Sequence, residues 1–154
     1  MREEKNNASD RELRISNILN APVELVWKVW TNAEDIANWW GPNGFTNTIH
    51  KMDMQPGGEW LLTMHGPDGK NYPNKSIFKK IIPLQKIVFD HFNPNFITTI
   101  EFTSEKEKTL LSWHMIFEIV ELFDAVVKTF KADEGLQQNI TKLKIYLANK
   151  KFNT

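Results

Sequence analysis

The chain predicts an α+β fold, a curved antiparallel sheet wrapped around one long C-terminal helix, on three observations. Strand-like segments from Phe45 to Glu118 are separated only by short turns, which leaves no room for the crossover helices of a parallel sheet. Leu136, Ile140, Leu143 and Leu147 then recur at steps of four, three and four, the apolar stripe of a helix. Five of the six tryptophans fall between Trp27 and Trp60. Each buried Trp removes about 150–250 Å² from water, so this stretch must join a shared core or line a cavity.

The elements follow in order. Residues 1–11 are charged and amide-rich with no apolar cluster to offset ordering entropy, and are read as a flexible tail preceding one domain over 12–150. Leu13, Ile15 and Leu19 alternate with polar residues, a first strand with one buried face. Pro22 suits the first turn of a helix, where its missing N–H costs nothing, and Val23, Val26, Trp27 and Trp30 share that helix's apolar face. Asn32 is placed to cap a second short helix, with Asp35 as its capping-box partner, and Gly41-Pro42 ends it. Phe45–Met54 and Glu59–His65 read as strands joined by Pro56-Gly57-Gly58, and Gly66-Pro67-Asp68-Gly69 is the next turn. Four further strands are expected over Ser76–Ile82, Lys86–His91, Ile97–Glu105 and Lys108–Glu118. A strand, two short helices, a meander and a long helix make a helix-grip arrangement, which leaves space between the concave sheet and the helix.

Composition narrows the partners. Lys plus Arg and Asp plus Glu both number 19, so no net field draws the protein to nucleic acid or to an anionic membrane. The pairs Lys79-Lys80 and Lys150-Lys151, with Lys142 and Lys144, are read as solvated faces. Cysteine is absent, which removes disulfides, thiolate nucleophiles and thiolate metal sites together. No apolar stretch long enough for a leader or a membrane span is present, and a cytoplasmic protein without membrane insertion is expected.

The series Ala21-Pro22 to Val26-Trp27, Trp39-Trp40-Gly41-Pro42 with Gly44-Phe45, Pro56-Gly57-Gly58-Glu59-Trp60, and Met64 with Gly66-Pro67-Asp68-Gly69 resembles the single-domain relatives of the activator of the heat-shock chaperone ATPase, within the START-like (SRPBCC) superfamily. The resemblance runs from about Leu13 to Leu147. It implies the helix-grip fold and three kinds of function found on it: carriage of a small molecule, chaperone regulation, and cyclase-like or hydrolase-like catalysis. Two departures stand out: Gly135-Leu136 replaces the Gly-Trp pair of many members, and the chain lacks the separate N-terminal half with which the eukaryotic activators engage their chaperone.

The strand parity of the meander places Trp60, Leu62, Met64, Phe78, Phe89, His91, Trp113, Met115 and Phe117 on the inner face, opposite Leu136 and Ile140 of the last helix. Tryptophan, phenylalanine and methionine suit a flat or flexible apolar guest, and the same pattern would equally serve a packed core. His91 alternates with Ile87 and Phe89, so its imidazole either meets a guest or is satisfied by a backbone carbonyl or water. Trp27, Trp30, Trp39 and Trp40 are read as packing residues of the helical corner, with Trp39 and Trp40 near the entrance of any cavity.

No metal site or cofactor is expected. His91 and His114 fall on strands separated by a third, about 10 Å apart, and His50 and Asp53 point to opposite faces of one strand. No nucleophile elbow, zinc-protease motif, phosphate loop or dinucleotide fingerprint occurs, so no catalytic residue is assigned; Asp53, Glu59, Asp90 and Glu101 are the candidate acids or bases, of which parity turns Asp90 to solvent. The expected function is therefore non-catalytic binding of a small apolar or amphipathic molecule between sheet and helix. A chaperone-interacting protein and a cyclase-like or hydrolase-like enzyme are the alternatives.

Overall fold

The computed structural model describes residues 10–129 and 131–152. Most of the expected N-terminal tail lies outside them. Arg11, within it, is tied to the sheet: its guanidinium donates to the Phe117 carbonyl at 2.8 Å, and the Phe117 N–H donates to the Arg11 carbonyl at 2.9 Å.

β1 (Glu12–Leu19) is followed by α1 (Val23–Thr31) and α2 (Ala33–Trp39), then by β2 (Thr46–Met52), β3 (Glu59–His65), β4 (Asn71–Ile82), β5 (Lys86–Phe92), β6 (Phe96–Glu105) and β7 (Lys108–Phe117). α3 (Val120–Phe123) and a π-helical turn (Asp124–Thr129) lead to α4 (Ala132–Phe152). The strands form one antiparallel sheet ordered β1-β7-β6-β5-β4-β3-β2, a meander whose first strand closes against the last. This is the α+β helix-grip fold that the sequence predicts.

Local chemistry sets the boundaries. Pro22 stands just before α1, and its carbonyl accepts the first helical bonds from the Leu25 and Val26 N–H groups. Asn32 caps α2, its Oδ1 accepting from the Asp35 N–H at 3.1 Å. The reciprocal half of the expected capping box is replaced by a tertiary contact. The Asp35 carboxylate, buried, receives the Tyr146 hydroxyl at 2.5 Å and the Lys150 ammonium at 3.3 Å, and so docks α2 on α4. In the β2–β3 turn a Cβ at Gly58 would lie 2.1 Å from the Asp53 carbonyl oxygen, so no larger residue fits.

Strand parity sorts the side chains as expected. On the concave face the register sets Trp60, Ser76, His91 and Phe96 in one cross-strand row, Phe78, Phe89, Thr98 and Met115 in the next, and Ile87, Ile100 and Trp113 beyond. α1 covers the far end: Trp27 packs edge-on to Phe102 at 5.1 Å and Trp30 edge-on to Trp113 at 5.1 Å. Trp39 is fully buried, with its indole N–H donating to the Val29 carbonyl at 3.1 Å. Leu136, Ile140, Leu143 and Leu147, the predicted stripe, are all buried. No helix among the described residues is long and apolar enough to cross a membrane.

Candidate functional site

The near end of the concave face, where α1 does not reach, holds a half-open cavity of about 230 Å³. Its floor is the inner face of β3 to β7. Its roof is the loop after α2 together with the first turns of α4. Of the residues that the sequence placed there, Trp60, Leu62, Met64, Phe89, His91, Trp113, Met115 and Leu136 reach the wall. Phe78, Phe117 and Ile140 do not: Phe78 stacks behind Trp60 at 5.8 Å, Phe117 packs between Phe96 and Phe123, and Ile140 is buried along α4.

Several wall residues escaped the sequence reading. Trp40 was placed in the helical corner near the entrance, but α2 ends at Trp39, and the extended backbone of Trp40 (φ −69°, ψ 139°) swings its indole over the sheet. There it stacks on Trp113 at 5.4 Å and meets Trp60 at 5.0 Å. Gly41 follows in a left-handed conformation (φ 96°), where a Cβ would stand 2.8 Å from the Met64 methyl. Asn74, Ser76, Phe96 and Thr98 complete the floor. Ser76 and Thr98 share parity with Phe78 and Ile100, a signal that could have found them. Asn74 falls outside the expected strand Ser76–Ile82, whereas β4 begins at Asn71.

The roof is held by side chains of α4. The Asn139 carbonyl oxygen accepts from the Gly41 N–H at 3.1 Å while its amide donates to the Trp39 carbonyl at 2.8 Å. Gln138 accepts from the Asn43 N–H at 3.0 Å. Lys142 is not the solvated lysine that the charge pattern suggests. Its ammonium donates to the Trp40, Pro42 and Phe45 carbonyls at 3.4, 3.3 and 3.2 Å, and burial holds its pKa below the ordinary 10.5.

His91 is the titratable group of the wall. Nδ1 lies 2.8 Å from the Pro94 carbonyl, Nε2 lies 2.7 Å from Asn74 Oδ1, and the ring stacks on Phe96 at 4.3 Å. Both nitrogens thus face oxygen within the protein, which favours the doubly protonated ring. Burial opposes this and outweighs both the Pro94 carbonyl and the charge of Asp90, so the pKa falls below 6.5. The other histidines engage neighbours away from the cavity: His50 bonds Thr63, His65 bonds Thr48 and Asn71, and His114 bonds Glu12.

Apart from His91, no ionisable side chain lines the cavity among the described residues. Thr98 Oγ1 is buried and has no hydrogen-bond partner among them, a state that costs about 1–3 kcal/mol. The indole N–H groups of Trp30 and Trp60 are likewise unpartnered, each within a cluster of aromatic rings. A wider hollow of about 700 Å³ at the far end of the molecule is lined by Val23, Glu24, Leu84, Lys86 and Glu101 among others. Lys86 and Glu101 already face each other there at 3.4 Å, beside the apolar side chains of Val23, Ile82, Leu84 and Phe102.

A curved sheet closed over a long helix, with an aromatic cavity at one end, defines a helix-grip domain. Residues 20–148 match the family model described as "Activator of Hsp90 ATPase homolog 1-like protein", and the chain belongs to that family. No curated protein matches it. Among solved structures, a protein from Arthrobacter aurescens superposes with a TM-score of 0.86 at 20% identity, covering 92% of this chain and 88% of that one. A protein from Mycobacterium smegmatis superposes at 0.84 with 22% identity, covering 93% and 94%. An AHSA1-like protein from Aeromonas hydrophila superposes at 0.73 with 19% identity, covering 90% and 94%. At these identities the likeness is one of fold.

Proposed function

We propose that this protein binds a small apolar or amphipathic molecule, without catalysing its conversion, in the cavity between β3–β7 and the start of α4. The observation that carries the reading is the cavity itself, about 230 Å³ walled by Trp40, Trp60, Phe89, Phe96 and Trp113. These walls are apolar and stand against water, and a guest that covers them removes that apolar area from water, at about 25 cal/mol per Å².

The test is an amide NMR titration with naphthalene, flavanone and decanoate as probes. Shifts confined to Trp60, Phe89, Trp113 and the first turns of α4 are expected, and Phe89→Ala or Trp113→Ala should weaken the binding. A spectrum unmoved by every probe would sink the proposal.

The family match favours a second reading, in which the surface engages a heat-shock chaperone. It requires a complex with that chaperone and a change in its ATPase rate, both unaffected by Phe89→Ala; no complex and no rate change would exclude it. Under either reading we place the protein in the cytoplasm, consistent with the absence of cysteine.

A further inference from the structure

The polar groups on the floor of the cavity say what kind of guest it takes. Thr98 lies on β6 in the row of Phe89 and Met115, and its hydroxyl is buried with no hydrogen-bond partner among the described residues. Thr98 lines the cavity, and a step of χ1 from one staggered position to the next re-aims its hydroxyl, so the unpartnered group can turn toward whatever occupies the space above it. Ser76, two strands away on β4 and paired with His91, supplies a second buried hydroxyl on the same wall. These two groups donate or accept equally well, whereas His91 has both ring nitrogens engaged within the protein.

Charge is excluded by the same wall. Among the described residues it holds no Asp, Glu, Lys or Arg, and Lys142 on α4 is tied to three carbonyls of the roof. A carboxylate or ammonium placed here would lose its water and gain no counter-charge. Size sets the remaining bound, since a cavity of about 150 Å³ accepts benzene and this one measures about 230 Å³. Flat walls of indole and phenyl rings favour a flat guest. A plain alkyl chain would leave Thr98 unmet.

Building on the binding function proposed above, we infer that the guest is an uncharged one- or two-ring aromatic molecule bearing a carbonyl or hydroxyl oxygen, which hydrogen-bonds Thr98 with Ser76 as the second contact. The experiment compares chromone, naphthalene and 2-naphthoate by amide NMR titration of the wild-type chain, of Thr98→Val and of Ser76→Ala. Chromone should bind more tightly than naphthalene although naphthalene is the more apolar, and 2-naphthoate should not bind. Thr98→Val should weaken chromone about tenfold and leave naphthalene unchanged, and Ser76→Ala should act in the same direction by a smaller factor. Naphthalene binding as tightly as chromone would overturn the inference, with water then satisfying Thr98, and so would tightest binding of 2-naphthoate; either result leaves the binding function standing. Silence from all three probes would overturn the inference, and silence from flavanone and decanoate as well would overturn the binding function itself. The wild-type comparison does not depend on how well either variant folds.

Discussion

The two ends of the concave face are built from the same kinds of residue and differ in what presses on them. At the far end α1 drives Trp30 into the sheet, where it meets Trp39 at 4.8 Å, Trp113 at 5.1 Å and Phe102 at 6.0 Å, and its ring fills the space over that part of the face. At the near end the rows of Trp60 and Phe89 face only a loop and the first turns of α4, and about 230 Å³ stays open. Aromatic content therefore does not distinguish a core from a binding cavity. The distinction lies in whether a neighbouring element can reach the face, and here Gly41-Pro42 stands back where α1 does not.

This contrast can be broken experimentally. The largest effect is expected for Trp30→Ala, a loss of about 3–5 kcal/mol, seen as a drop of roughly 6–20 °C in Tm. Trp60→Ala at the open end should cost less than that, and equal costs would mean that the two ends are packed alike. Next is Asn139→Ala, which leaves the Gly41 N–H and the Trp39 carbonyl without the partner that now joins them to α4. A loss of about 2–4 kcal/mol is expected in urea denaturation, and a loss below 1 kcal/mol would show that the roof is held by other contacts.

A smaller, pH-dependent effect follows from His91. Its folded pKa lies below 6.5, so between that value and 6.5 the unfolded chain binds more protons than the folded one, and stability falls as the pH is lowered through this window. The slope can reach at most about 1.4 kcal/mol per pH unit for one group. Denaturation at pH 5 and pH 7 should show a shallower dependence for His91→Gln than for wild type; parallel profiles would mean that His91 does not titrate in this range. The smallest expected change is in Thr98→Val without guest, neutral to stabilising by about 1 kcal/mol in thermal unfolding, because a buried hydroxyl without a partner is removed. A clear destabilisation would mean that the hydroxyl has a partner after all.

The period-two and period-3.6 patterns made most of the fold legible, since burial against one layer decides which residues alternate. Trp60, Leu62, Phe89 and Trp113 were assigned to the correct face for that reason. Trp40 was not assigned to the wall, because one peptide's change from helical to extended backbone separates it from Trp39, and no periodicity records that. Lys142 was misjudged because a lysine that donates to backbone carbonyls carries no partner in the charge pattern. Asn74 lies in the part of β4 before Ser76, where polar residues carry no apolar alternation to mark a strand. Whether space remains above a buried face depends on how far α1 and the roof loop reach, which is a tertiary property and leaves no mark on side-chain spacing.

The aromatic cluster has a spectroscopic consequence. Trp39, Trp30, Trp113, Trp40 and Trp60 form a continuous chain with successive ring centroids 4.8, 5.1, 5.4 and 5.0 Å apart. Transition-dipole coupling falls with the inverse cube of distance, so at these separations the indoles share their excited states. Absorption and near-ultraviolet circular dichroism then belong to the cluster as a whole, and replacing one tryptophan will not subtract one tryptophan's spectrum. Excitation of the filled half is therefore shared with Trp40 and Trp60, so a guest that quenches either ring would lower the emission of the entire chain of indoles.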